Sequence, residues 1–105
     1  MGAGTSSGKA LRYGSDVTRM RTALAGILNT TARVRVSNPG QTYYMQMSGP
    51  NEWTAQWNET SGSKQESFGS RNEAVQFLRK RIGADSTVSV GSETVFQGEK
   101  APKKK

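Results

Sequence analysis

Between Trp53 and Ile82 the apolar pattern changes its period, and that change restricts what the chain can fold into. Trp53, Ala55 and Trp57 alternate with Thr54, Gln56 and Asn58, and a period of two assigns each set to its own face of a β-strand. Thr60, Ser61, Gly62 and Ser63 are turn formers, so Lys64 to Phe68 reads as an antiparallel return after a loop of about four or five residues. The period then becomes helical. Ser70 and Glu73 have the spacing of a capping box, in which each side chain satisfies a free backbone N–H at a helix start. Ala74, Val75, Leu78 and Ile82, with Phe77 beside them, form an apolar stripe, and Gly83 closes the helix as a residue able to take positive φ. A strand, its hairpin partner and a helix folding back enclose one apolar layer. Alanine at 55 and 74 lets helix and sheet approach closely.

The rest of the chain extends this unit. Ser15 or Asp16 caps a helix whose apolar positions Val17, Met20, Leu24, Ile27 and Leu28 recur at helical spacing, and Asn29 and Thr30 end it. Residues 31–36 alternate, with Ala32, Val34 and Val36 on one face and Arg33 and Arg35 on the other. After a turn at Asn38, Pro39 and Gly40, residues 42–47 form a strand carrying Tyr43, Tyr44, Met45, Gln46 and Met47, and Gly49, Pro50 and Asn51 turn the chain again. Beyond Gly83, residues 87–90 and 93–96 form one or two short strands that pair at the sheet edge or extend a partner's sheet. The expected fold class is α+β: an antiparallel sheet of three to five strands, one face covered by a helix, plus an N-terminal helix. The expected organisation is a flexible arm over 1–14, a single domain over 15–98 and a basic disordered tail over 99–105.

Charge and missing residue types narrow the function classes. The net charge is +7, of which the tail supplies +3, the arm +2 and the body only +2. Within the body, Arg19, Arg21, Arg33 and Arg35 come early, and Arg71, Arg79, Lys80 and Arg81 ride the second helix. Such a balance favours an acidic partner, nucleic acid first. The chain has no cysteine and no histidine, so a disulfide framework, a thiolate site and the usual zinc ligands are excluded. General acid and base work usually draws on those same types, and no nucleophile with its base stands out; the expectation is a non-enzyme with no cofactor and no metal. The glycine-rich start invites comparison with a phosphate-binding loop, but Ala10 stands where Ser or Thr is required. It contains no continuous apolar run of the kind that marks a signal peptide or membrane span. An intracellular protein, cytoplasmic or nucleoid-associated, is expected.

Trp53-x-Ala55-x-Trp57, a glycine-containing turn, Lys64, Phe68-Gly69-Ser70, Glu73-Ala74 and Phe77-Leu78 together resemble the three-stranded-sheet-plus-helix module of the amino-terminal arm-binding domains of phage integrases. They are also similar to the plant ethylene-response-factor DNA-binding domain and to small bacterial domains with the same hairpin and helix. In the two DNA-binding families the sheet face away from the helix enters the major groove, and the resemblance implies DNA binding by a phage-like module.

The residues expected to meet nucleic acid are Arg33, Arg35, Tyr44, Gln46, Gln56, Asn58 and Lys64. On one strand face the two arginines stand about 7 Å apart, close to the spacing of consecutive phosphates along a strand. A rival class is a protein-interaction or assembly module, viral in type, that oligomerises through helix 15–29 or the C-terminal strand. A third is a single-strand binder in which exposed tyrosine or tryptophan stacks on bases.

Overall fold

The computed structural model describes residues 12–101; most of the expected arm and the last four residues of the expected tail lie outside them. Element order is α1 (Val17–Ile27), β1 (Val34–Asn38), β2 (Gln41–Gly49), β3 (Glu52–Glu59), β4 (Gly62–Phe68), α2 (Arg71–Arg79), β5 (Thr87–Val90) and β6 (Glu93–Gln97). The fold is α+β, as expected, but the sheet has six strands in the order β4-β3-β2-β1-β5-β6, every neighbouring pair antiparallel. Strands β1 to β4 form a meander. The chain then crosses back through α2 so that β5 pairs with β1 and β6 completes the far edge.

Local sequence explains most boundaries. The carboxylate of Asp16, rather than the Ser15 hydroxyl, caps α1, accepting from Thr18 N at 3.0 Å and Arg19 N at 3.3 Å. Ser70 Oγ accepts from Glu73 N at 3.2 Å at the start of α2. The reciprocal half of the expected box differs, because Glu73 Oε1 accepts from Gly69 N at 3.4 Å and not from the cap residue itself. Asn38 pairs with Gln41 across Pro39 and Gly40, and Gly40 has φ +81°. Proline then glycine at positive φ is what a type II turn asks of its two central positions. Glu59 pairs with Gly62, so the third hairpin closes over two residues and not four or five. Gly83 is not at positive φ. Helix α2 ends instead at Lys80, after which Arg81 N and Ile82 N turn back to Leu78 O and Arg79 O.

One apolar face results, and both helices cover it. Register places Val34 opposite Met45 and Met45 opposite Ala55, while Val36, Tyr43 and Trp57 form the next row. Met20, Leu24, Ile27 and Leu28 of α1 join Ala74, Val75, Phe77, Leu78 and Ile82 of the α2 segment in a single core with these rows. Trp53 is buried in it, 5% exposed, and its indole N–H donates to Leu28 O at 3.1 Å. That carbonyl lies just past the end of α1, so the bond fixes the helix terminus to the third strand. Trp57 shares this face, half-buried, with its ring 5.5 Å from that of Phe77.

Residues flanking the expected 15–98 body are tied to it. Tyr13 N donates to Val95 O and Gln97 N to Gly14 O, both along the outer edge of β6. Gly98 N donates to Ser86 O, Lys100 N to Ala84 O, and Ala101 is buried. Gly98 has no room for a side chain, since a Cβ there would meet Ala84 O at 2.2 Å.

Two stability predictions follow from these contacts. Trp53→Phe keeps an aromatic ring in the core but leaves a small cavity and a buried Leu28 carbonyl without its donor, and urea denaturation should show a loss of about 1–3 kcal/mol. Gly98→Ala should cost about 1–3 kcal/mol by forcing the 84–86 loop outward, where the same change at the open position Gly69 should cost under about 1 kcal/mol.

Candidate nucleic-acid interface

The sheet has a second face with no helix on it, and side-chain parity decides what it displays. Thr94, Ser89, Arg35, Tyr44, Gln56 and Gln65 lie opposite one another in a single row across all six strands. Gln46, Thr54 and Ser67 make a shorter row on one side of it. Thr87, Ser37 and Thr42, with Asn58 and Ser63 farther along, lie on the other. None of these rows contains aspartate or glutamate. Arg33 precedes β1 at the same parity as Arg35, and its guanidinium lies 5.4 Å from the centre of the Tyr44 ring, within cation–π range. Arg33 and Arg35 are exposed and Tyr44 is half-buried beneath the former.

Six of the seven expected site residues therefore share the uncovered face: Arg33, Arg35, Tyr44, Gln46, Gln56 and Asn58. Lys64 does not. Its cross-strand partner is Trp57, so it belongs to the helix-bearing side together with Glu66. The two-residue turn sets this register, and changing the loop by one residue moves every later side chain of β4 to the opposite face.

The polar groups of the uncovered face fall into two regions. Toward β4 they bond to each other. Ser48 Oγ and Thr54 Oγ1 are 2.8 Å apart, Thr54 Oγ1 and Ser67 Oγ 3.3 Å, Gln56 Nε2 donates to Gln65 Oε1 at 3.3 Å, and Ser63 Oγ donates to Asn58 Oδ1 at 2.9 Å. Toward β6 they do not. Arg35, Ser37, Thr87, Ser89 and Thr94 make no side-chain hydrogen bond or ion pair with any described residue, and they line a hollow of about 360 Å³. Sequence inspection singled out only Arg35 of this group. The available signal was the alternation Thr87-Val88-Ser89-Val90, which is uninformative until β5 is known to lie beside β1.

The helix-bearing side holds the other cations in a different setting. Arg19, Arg21, Arg71, Arg79 and Lys80 are exposed there, and Arg21 Nη2 donates to Ile82 O at 2.9 Å, satisfying a carbonyl left free beyond α2. Arg81 turns inward: its guanidinium lies 3.7 Å from the Phe77 ring centre and donates from Nη1 to Phe77 O at 2.9 Å. Tyr43, Trp57, Phe68 and Phe77 form a connected aromatic cluster around it. Both tryptophans are thus on the covered side, and the uncovered face offers Tyr44 as its aromatic ring.

Surfaces expected to serve oligomerisation are largely engaged within the chain. Met20, Leu24, Ile27 and Leu28 of the first helix are buried in the core, and the outer edge of β6 carries the two hydrogen bonds with Tyr13 and Gly14. Among the described residues, no helix is long and apolar enough to cross a membrane. Comparison with protein-family models, curated proteins and solved structures returned no match.

Proposed function

We propose that this chain is a non-enzymatic nucleic-acid-binding domain, with DNA the favoured partner, that docks its ligand on the uncovered sheet face. The observation that carries this reading is the charge on that face: Arg33 and Arg35 flank Tyr44, the adjoining rows hold amides and hydroxyls, and the carboxylate of the same parity on β3, Glu52, stands at the far end of the strand. Two arginines on one strand face suit consecutive phosphates. Gln46, Gln56 and Asn58 supply donors and acceptors of the kind that read base edges in a groove. The resemblance of residues 53–82 to sheet-plus-helix DNA-binding modules supports the same face, since in those modules it is the side away from the helix that meets DNA. Basic residues at both ends of the chain add attraction that is independent of sequence.

Single-strand binding by base stacking is the narrower alternative. It rests on Tyr44, because Trp53 and Trp57 lie on the covered side.

Replacing Arg33 and Arg35 together with alanine removes two phosphate contacts and no core contact. In fluorescence anisotropy over a salt series, the slope of log affinity against log salt should flatten by about two units, with folding stability unchanged within about 0.5 kcal/mol. An unchanged slope with a folded variant would remove both arginines from the interface.

A further inference from the structure

The hollow between β1, β5 and β6 is built differently from the rest of the uncovered face. Its wall presents one guanidinium, from Arg35, and the hydroxyls of Ser37, Thr87, Ser89 and Thr94, with Asn38, Pro39 and Gln97 beside them. Ser89 is 3% exposed, sits directly opposite Arg35 across the β1–β5 pair, and its hydroxyl has no partner among the described residues. The hydroxyl itself opens on the hollow, where it is free to donate to a ligand. No lining residue is acidic and none is aromatic. One cation beside several rotatable hydroxyl donors suits a tetrahedral oxyanion, which takes several donors at once. The volume of about 360 Å³ exceeds what a bare phosphate fills and lies at the small end of the range for ligand sites.

We propose that this hollow receives a phosphate together with the pentose that carries it, Arg35 pairing with the phosphate and Ser89 and Thr94 donating to its oxygens. The proposal deepens the nucleic-acid reading by assigning one nucleotide of the bound strand to a defined place, and it rests on that reading for the strand alone. The phosphorylated pentose has two sources, a free nucleotide and a nucleic-acid strand, with the same chemistry at the hollow.

Calorimetry and phosphorus NMR on the full chain separate them, with thymidine 5′-monophosphate, thymidine and a twelve-residue oligothymidylate as probes. The monophosphate should bind saturably and thymidine should not. Ser89→Val should weaken the monophosphate about tenfold, as loss of a hydrogen bond to a charged oxygen requires. If that variant misfolds, the near-isosteric Thr94→Val serves in its place. Weakening of both probes by the variants supports the strand as source. Binding of the monophosphate without the oligonucleotide supports the hollow and contradicts the nucleic-acid reading. Binding of the oligonucleotide unaffected by either variant, with no response to the monophosphate, overturns the hollow and leaves the arginine face standing.

A separate observation concerns the opposite edge. Strand β4 bonds to β3 on one side, and no described strand pairs with its other side; six of its seven residues are exposed. Its sequence Ser63-Lys64-Gln65-Glu66-Ser67 is self-complementary when a second copy runs antiparallel about Gln65. Lys64 then faces Glu66 of the copy, Glu66 faces its Lys64, serine faces serine and Gln65 faces Gln65. Edge charges ordinarily block strand addition, but here one register turns both into opposite-sign pairs.

We infer that a second copy of this chain pairs along β4, extending the sheet across a two-fold axis. Sedimentation should show a concentration-dependent dimer. Lys64→Glu and Glu66→Lys, each placing like charges opposite, should each weaken it about tenfold or more, and an equimolar mixture of the two variants should restore it. A chain that stays monomeric at millimolar concentration, or a mixture no better than either variant alone, would overturn the pairing.

Discussion

The alternation of side chains across six antiparallel strands is the constraint on which the rest of this molecule depends. Each strand must send one set of side chains to each face, so the rows through Val34, Met45 and Ala55 and through Val36, Tyr43 and Trp57 create an apolar surface that water cannot be allowed to reach. Both helices come from sequence outside the meander, one before and one after it, and both close on that surface. Their stripes meet each other as well as the sheet. With two helices on one side and short connections elsewhere, the described chain has no element left to cover the other side. An uncovered polar face is therefore a product of topology, and its composition becomes the chemical content of the protein.

That face is not uniform. Near β4 its amides and hydroxyls bond to one another, which holds Gln56 and Asn58 in fixed positions. Near β6, Arg35 and the hydroxyls of Ser37, Thr87, Ser89 and Thr94 bond to no described residue. The contrast sets the strands contributed late in the sequence apart from the rest of the face. Anchoring is correspondingly firm there. Asn38 Nδ2 donates to Arg81 O at 3.0 Å, Ser86 Oγ bonds Asn38 Oδ1, and Gly83 N donates to Ser86 Oγ at 2.9 Å. This network joins the end of β1 to the loop that delivers β5, fixing the wall of the hollow from behind.

Much of this was legible in the residues and some was not, for a physical reason in each case. The Trp53-Ala55-Trp57 alternation, the Ser70 cap and the α1 stripe are local signals, and each produced the element it implies. Arg33 and Arg35 share the uncovered face because parity within one strand needs no long-range information. Lys64 was misplaced because its face depends on the exact length of the preceding turn, and turn residues such as Thr60 and Ser61 fit loops of two residues as well as four. The helix end moved from Gly83 to Lys80 because Arg81 and Ile82 continue as a tighter turn whose carbonyls are taken up by Asn38 and Arg21. Ser37, Thr87, Ser89 and Thr94 escaped notice because a run of small hydroxyl residues carries no signature by itself. They come together only through the pairing of β5 with β1, about fifty residues apart in sequence and encoded in no local pattern.

In the proposed reading the helix-free face, and not the cation-rich helical side, meets nucleic acid. Amide chemical-shift mapping of the full chain titrated with a short duplex tests it most directly. The account predicts perturbations that alternate along β1, β2 and β3, concentrated at residues 33, 35, 44, 46, 56 and 58, with α1 and α2 unmoved. Perturbations confined to Arg19, Arg71, Arg79 and their neighbours on the helices would contradict it.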